Sequence, residues 1–319
     1  MLNLIVAPFD YNDNGEKYAK RIVRYLKREK CEYSVYFSPS IDEMNTNVRN
    51  LTLDNENEFV VIGDKYILNQ FLNSVENISK IKLGVIPLNK DDDFISYLDF
   101  ETNPITAIRN ILERQVKPID YMIVNDKIVI NDVLIGASVE LYEIYSQYKI
   151  KNALTRNLVI MQYGSNYEGI ELTFDTKTQK AKTETVFDLS ISNGGYNGKK
   201  KQSPLANLSD GLFNLNYVNQ VDRAERKKYL KLFNKGAQIY DERTHQYWLN
   251  RVKITNADAR IKALVDGQIV NYESLEVSVV EGGLQLYNTK TSEIHFAPKP
   301  EKKIETKPLE EIELEDEKK

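Results

Sequence analysis

The sequence predicts an α/β domain with a parallel, Rossmann-like sheet, followed by a mainly antiparallel β-sandwich domain. Short apolar runs alternate with helical patterns over the first third of the chain, and near Asp120 the pattern changes to closely spaced short strands. The length of 319 residues also suits two domains better than one or three. We therefore expect the α/β domain at residues 1–122, the β-sandwich at 123–297 and a disordered charged tail at 298–319.

The first domain is predicted from successive strand–helix units. Ala19, Ile22 and Leu26 recur at helical spacing in the first helix. Pro104 suits the first turn of the fourth helix. Because strands joined by helices run parallel and ligands bind beyond their carboxyl ends, these ends should surround one crevice. The expected strands are residues 2–7, 33–38, 58–63 and 82–88, and the expected helices are 16–30, 41–51, 65–75 and 103–114.

The second domain is predicted from short alternating strands. Ile170, Leu172 and Phe174 alternate with polar residues, which is typical of a strand with one buried face. Residues 125–127 lie between two apolar pairs and indicate a hairpin turn. Further strands are expected at 183–192, 260–266, 274–280 and 283–287, and helices only at 139–148 and 224–233.

Composition excludes several classes of protein. A net charge of −4 argues against general nucleic-acid binding, which needs a basic surface. One cysteine, Cys31, excludes an internal disulfide or a CxxC zinc site, and two histidines, His245 and His295, argue against a His-rich metal site. No apolar run reaches the roughly 18 residues of a membrane helix. We expect a cytoplasmic protein, with possible attachment to the inner membrane surface.

Two charged segments suggest partners. The tail from Pro298 has dense charge and no aromatic residue, which predicts either a solubilising segment or a site for a protein partner. Basic residues concentrate at 199–201 and 223–231 in an otherwise nearly neutral body. Clustered lysines favour anionic lipid surfaces, although a solvated basic face is the simpler interpretation.

Short segments spread along residues 1–290 carry a joint resemblance. Residues 62–66 read Ile-Gly-Asp-Lys-Tyr after one strand, and residues 84–94 read Gly-Val-Ile-Pro-Leu-Asn-Lys-Asp-Asp-Asp-Phe over the next strand and its loop. Residues 118–120, 130–136, 191–213 and 265–268 follow downstream. In this order they resemble the GGDGT, GxxPxGTxNDF, iDl, FxNxxxxG, NGxxxGGG…PxAxxxDGxL and DGE motifs of the diacylglycerol kinase family of lipid kinases.

The resemblance implies an ATP-dependent lipid kinase that uses Mg²⁺. It implies that Gln268 stands at the position of the general base that acts on the lipid hydroxyl. The positions implied to hold a structural magnesium ion are Asn207, Asp210 and Leu212. Those implied to surround the nucleotide are Pro8, Ser38, Gly63, Asp64, Lys65, Tyr66 and Lys90.

Several of these positions depart from the family pattern. Lys65-Tyr66 and Asn89-Lys90 replace Gly-Thr pairs, and their side chains fill space that the phosphates would share with backbone. Ala7 replaces an asparagine, and Gln268 replaces a glutamate, whose proton-accepting role a neutral amide cannot take over.

Three functional hypotheses follow from these departures. The first is a family member with weak or no phosphotransfer, and the second is an active kinase that uses an altered site. In the altered site Lys65 or Lys90 would bind phosphate, and Asp64, Asp92 or Asp93 would supply a carboxylate base. The third is a non-catalytic scaffold or regulatory binding module. Asp64 has a simpler alternative role as a helix cap, and Lys90 as a solvated lysine.

Overall fold

The structure is a computed structural model. It describes residues 1–8, 14–53, 57–88, 98, 100–150, 152–176, 181–197, 200–201, 203, 206–235, 237–257 and 260–287. Lys90, Asp92, Asp93, His295 and the expected tail at 298–319 lie outside these ranges.

The first domain contains a parallel sheet in the strand order β4-β3-β1-β2, which confirms the predicted fold class. The predicted and observed ends of its elements agree within about three residues. The strands are β1 (Leu2–Val6), β2 (Tyr33–Phe37), β3 (Asn57–Gly63) and β4 (Ile81–Pro87), and the helices are α1 (Asn14–Arg28), α2 (Ile41–Leu51), α3 (Lys65–Leu72) and α4 (Pro104–Leu112).

Helices cover both faces of this sheet because successive residues of each strand point to opposite sides. Phe59 and Val61 pack with α2 and α3 on one face. Val60 and Ile62 pack with α1 and α4 on the other. Side-chain caps start three of the helices: Ser40 for α2, Asp64 for α3 and Asn103 for α4.

The second domain is mainly antiparallel and sandwich-like, as predicted. Its interior is an apolar cluster that includes Val133, Leu189 and Val277. Its strands are β5 (Val116–Val124), β6 (Lys127–Val129), β7 (Asp132–Gly136), β8 (Ile170–Asp175), β9 (Lys182–Ser192), β10 (Tyr196–Asn197), β11 (Lys200–Lys201), β12 (Phe213–Asn219), β13 (Thr244–Leu249), β14 (Arg251–Thr255), β15 (Ile261–Val265), β16 (Gln268–Tyr272) and β17 (Ser274–Tyr287). Its helices are α5 (Ala137–Ser146), α6 (Ala153–Tyr163) and α7 (Arg226–Lys235).

Several elements differ from the sequence prediction, which did not include strands β12, β13, β14 and β16. The segments expected as separate strands at 274–280 and 283–287 form the single strand β17, whose pairing shifts between Val280 and Leu284. Its first part pairs with β14 and its last part pairs in parallel with β4, so β17 joins the two sheets. Helix α6 was not predicted at all. The predicted domain boundaries remain predictions.

The described residues include no helix that is both long enough and apolar enough to span a bilayer.

Candidate functional site

A cavity of about 440 Å³ lies where the start of α3 meets the β15–β16 turn and the helices of the second domain. One end is lined by the polar residues Asp64, Lys65, Asp132, Asp266 and Gln268. The remaining wall is largely apolar and comes mainly from α5, α6 and α7. It includes Leu134, Leu141, Val159, Ile160, Leu230, Phe233 and Leu264. A polar end and an apolar body suit a ligand with a polar head and a hydrocarbon chain.

The loop between β3 and α3 forms one side of the polar end. Asp64 caps α3, because its Oδ1 accepts a hydrogen bond from Ile67 N at 3.2 Å. Lys65 and Tyr66 follow as the first helical residues, and all three line the cavity. The structure thus gives Asp64 the capping role that its position in the sequence allowed.

The β15–β16 turn forms the opposite side. Asp266 and Gly267 are its two central residues, with φ of 45° and 86°, which is the tight hairpin turn that favours glycine. Gln268 is the first residue of β16 and pairs with Val265. Gln268 and Lys65 therefore line the same polar end, although 202 residues separate them in the chain.

Asp266 holds this turn against the rest of the site. Its carboxylate accepts hydrogen bonds from the backbone N–H groups of Ile130, Asn131 and Asp132 at 2.9–3.2 Å and from Asn69 Nδ2 at 2.9 Å. Burial raises the pKa of Asp266, while the nearby Lys65 ammonium and these backbone donors act in the opposite direction. The carboxylate fixes the position of the turn, and hence of Gln268.

Several residues predicted to surround a nucleotide do not line the cavity. Pro8, Ser38 and Gly63 are buried. Ser38 is 2% exposed, and its Oγ accepts a hydrogen bond from Asn47 Nδ2 at 3.2 Å. A Cβ atom on Gly63 would lie 2.7 Å from Ile67 Cβ, so this glycine serves the close packing of α3 on β3. The site roles of these residues remain predictions.

The polar end offers little to a polyphosphate. The cavity lining carries the acidic residues Asp64, Asp132 and Asp266 and the cations Lys65 and Arg156. Ile67 N, in the first turn of α3, already donates to a carboxylate. Because carboxylates outnumber cations in this lining, it disfavours the triphosphate of ATP.

The residues predicted to hold magnesium share one loop. Asn207 Oδ1 accepts hydrogen bonds from Ser209 N and Oγ, and Asp210 Oδ1 accepts one from Leu212 N at 3.0 Å. Asp120 Oδ2 accepts another from Gly211 N at 2.7 Å. The described part of the chain holds no group of three or more His, Cys, Asp or Glu side chains that could bind a metal ion. The magnesium-binding role of Asn207, Asp210 and Leu212 remains a prediction.

Asp120 connects this loop to β17. Its Oδ1 accepts a hydrogen bond from Gly282 N at 2.7 Å, beside the irregularity in that strand. Burial and the nearby Glu281 raise the pKa of Asp120, and the bonds from Gly282 and Gly211 lower it. Asp120, in the iDl-like segment, thus has a structural role: it connects the 207–212 loop to β17.

The buried carboxyl of Asp188 on β9 is a candidate functional group that the sequence analysis did not identify. Its Oδ1 accepts a hydrogen bond from Ser138 N in the first turn of α5 at 3.0 Å, while its Oδ2 has no partner among the described residues. Burial raises the pKa of Asp188 to about 7, and the Ser138 bond opposes the shift. A lone aspartate in a strand gives no sequence signal of this environment.

Asp188→Asn should make the stability of the protein less dependent on pH. In the unfolded chain the carboxyl loses its proton near pH 4, whereas in the folded protein it keeps that proton to about pH 7. The folded state therefore binds more protons in this range, and Asp188 makes stability fall as pH rises from about 4 to 7, by at most about 1.4 kcal/mol per pH unit. Urea unfolding at pH 5, 6, 7 and 8 measures this slope. Equal slopes for the wild type and the variant would contradict the prediction.

Comparison with known proteins gives consistent matches over most of the chain. Residues 2–124 match the model of the diacylglycerol kinase catalytic domain, and residues 146–288 match that of the YegS C-terminal NAD kinase beta sandwich-like domain. A diacylglycerol kinase from Bacillus subtilis is 22% identical over 279 residues, which cover 84% of this chain and 92% of the relative. A diacylglycerol kinase from Staphylococcus carnosus is 24% identical over 233 residues, 71% of this chain and 76% of the relative.

Solved structures show the same fold. The crystal structure of a diacylglycerol kinase from Bacillus anthracis superposes with a TM-score of 0.66 at 14% identity, over 90% of this chain and 96% of the other. An NAD kinase from Archaeoglobus fulgidus in complex with ATP superposes with a TM-score of 0.51 at 10% identity, over 91% and 94% of the two chains.

Proposed function

Because the chain belongs to the diacylglycerol kinase-like lipid kinase family, we propose that its cavity binds a diacylglycerol-like amphiphile, with weak or absent phosphate transfer from ATP. The cavity carries this proposal. Its apolar body has room for hydrocarbon, and its polar end brings Gln268 beside Asp64, Lys65 and Tyr66. The lipid hydroxyl would lie at Gln268, whose amide can orient it by hydrogen bonding.

The side chains at the polar end favour slow or absent phosphate transfer. A glutamine cannot remove the proton of an attacking hydroxyl. Asp266 is committed to three backbone donors and Asn69, and Asp64 to the start of α3. Asp132 also lines this end.

The lipid part of the proposal is tested by binding of dioctanoylglycerol, a short-chain diacylglycerol, measured by calorimetry. Val159 lies on the cavity wall and is 1% exposed, so Val159→Phe should fill part of the cavity and weaken binding at least tenfold. Val23→Phe is the matched control, because Val23 lies on α1 and packs in a different apolar cluster. Binding that is absent in the wild type, or equal in both variants, would contradict the proposal.

The nucleotide part is tested by titrating MgATP. We expect weak or no binding, since the triphosphate does not match the acidic polar end. Micromolar MgATP binding that is lost in Asp64→Ala would overturn this part and favour the altered-site kinase. Binding of neither ligand would leave the scaffold as the remaining function.

A further inference from the structure

The outer face of helix α1, in the first domain, is densely cationic. Residues 14–30 contain seven lysine or arginine residues and two glutamates, in a chain whose net charge is −4. The opposite face of the helix, with Ala19, Ile22 and Leu26, is buried in the apolar cluster on one side of the sheet. The seven cations are all exposed: Lys17, Lys20, Arg21, Arg24, Lys27, Arg28 and Lys30.

Most of these cations are not neutralised within the described part of the chain. The two glutamates of the segment pair with Lys20 and Arg28. The other cations of the helix form no ion pair with a described carboxylate, and we call them the α1 cationic face: Lys17, Arg21, Arg24 and Lys27. Successive members are three or four residues apart, so they are neighbours on the helix surface and repel one another. An anion beside them would remove this repulsion.

The complementary charge lies near the C-terminal end of the sequence. Residues 310–317 read Glu-Glu-Ile-Glu-Leu-Glu-Asp-Glu, which places six acidic residues in eight positions with no lysine or arginine among them. We call this segment the acidic block. It lies outside the described residues, and its sequence alone enters the argument.

The last described residue of the chain lies beside α1. Tyr287, at the end of β17, packs in the same apolar cluster as the buried face of α1. Residues 288–309 connect it to the acidic block, and 22 residues span up to about 70 Å when extended. Helix α1 has 15 residues and is therefore about 22 Å long. The acidic block is thus tethered within reach of the whole cationic face.

We propose that the acidic block binds the α1 cationic face of the same chain. Its carboxylates would form ion pairs with guanidinium and ammonium groups that lack a described partner. The tether raises the effective concentration of the block at α1, which favours it over an anion free in solution. A second α1 cationic face is a poorer occupant because like charges would meet. Nucleic acid is also poorer, since the chain as a whole is negatively charged.

The test is carbodiimide crosslinking of the full chain at low ionic strength, followed by mass spectrometry of the linked peptides. The reagent joins a carboxylate to a lysine amine when the two groups are in contact, so it detects ion pairs directly. Amide links should form between the acidic block and Lys17 or Lys27. Sodium chloride at about 1 M, where the screening length is about 3 Å, should remove most of these links.

Charge reversal tests the cationic face without removing the amines that react. Arg21→Glu with Arg24→Glu leaves both lysines in place, but it should lower the yield of the links about fivefold or more, because two attractions become repulsions. Lys127→Glu with Lys149→Glu is the matched control, because it makes the same change of charge at exposed residues of the second domain. The control should give the wild-type yield.

A charge swap controls for an effect of the reversal on folding. Glu311→Lys and Glu313→Lys, added to Arg21→Glu with Arg24→Glu, should restore the links, because opposite charges again face each other. A misfolded α1 would not be rescued by substitutions in the acidic block.

Every other result counts against the proposal. Links to lysines of the second domain that are as frequent as those to Lys17 and Lys27 would overturn it, as would an equal loss in the reversal variant and its control. A mixture of isotope-labelled and unlabelled protein shows whether the links join two chains. Links between chains would overturn the intramolecular contact and assign the cationic face to a neighbouring copy. None of these results depends on lipid binding in the cavity, so the proposed function is tested separately.

Discussion

Asp266→Ala should lower the free energy of unfolding by about 3–5 kcal/mol, since it leaves several buried donors unpaired at about 1–3 kcal/mol each. The donors are three successive backbone N–H groups, from the β6–β7 loop and the first residue of β7, and Asn69 Nδ2 on α3. Asparagine tolerates the backbone conformation of position 266, but its amide NH₂ group would face N–H donors that the carboxylate now accepts from. Asp266→Asn should therefore lower the free energy of unfolding by less than Asp266→Ala does.

The matched control for Asp266 is Asp126→Ala. Asp126 is also in a two-residue hairpin turn, between β5 and β6, but its side chain is exposed. Its substitution should change stability by no more than about 0.5 kcal/mol. Urea unfolding of the wild type and the three variants makes the comparison. A loss in Asp266→Ala as small as that in Asp126→Ala would show that the carboxylate does not hold the turn.

Restoring the family's residues together should raise phosphate transfer far more than restoring the base alone. A glutamate at position 268 can recover at most the factor of about 10²–10⁴ that a general base contributes. That factor is not realised unless the γ-phosphoryl group is held in line with the lipid hydroxyl. We therefore expect Gln268→Glu alone to remain slow.

The combined variant adds Lys65→Gly, Tyr66→Thr, Asn89→Gly and Lys90→Thr to Gln268→Glu. It should transfer labelled phosphate from MgATP to diacylglycerol faster than any single variant. Gln246→Glu, on β13, controls for the added negative charge. Rescue by Gln268→Glu alone to ordinary kinase rates would mean that the phosphate site is intact and that only the base is missing.

The first domain was predictable because its signals are local. Strands β1, β3 and β4 are runs of mostly apolar residues that face both sides of the sheet. Ser40, Asp64 and Asn103 are helix-capping residues at the starts of α2, α3 and α4. These signals need no knowledge of the rest of the chain.

The elements that the sequence did not predict depend on distant partners. Helix α6 has apolar residues on both sides, so no single-face period identifies it. Strand β17 is continuous because its two halves pair with β14 and β4, which lie far apart in the sequence. Gly282, with φ of 58°, lies where the pairing of β17 shifts, between the two strands expected from the sequence.

The candidate site was predicted only in part. The resemblance pointed to Gln268 and to residues 64–66, and these line one cavity. The apolar wall was not predictable, because its residues come from three helices that meet only in the folded chain. Ser38 does not line this cavity: its hydroxyl is buried and accepts a hydrogen bond from Asn47 on α2, and its predicted role at the nucleotide remains a prediction.

The central claim is that this chain keeps the lipid site of a diacylglycerol kinase while its phosphate transfer is weak or absent. The direct test measures transfer of labelled phosphate from MgATP to diacylglycerol in mixed micelles, with the Bacillus subtilis diacylglycerol kinase in parallel. We predict a wild-type rate at least about 10²-fold below that of the relative, the least that the loss of a general base costs. A rate within tenfold of the relative would contradict the claim and establish an active kinase with an altered site.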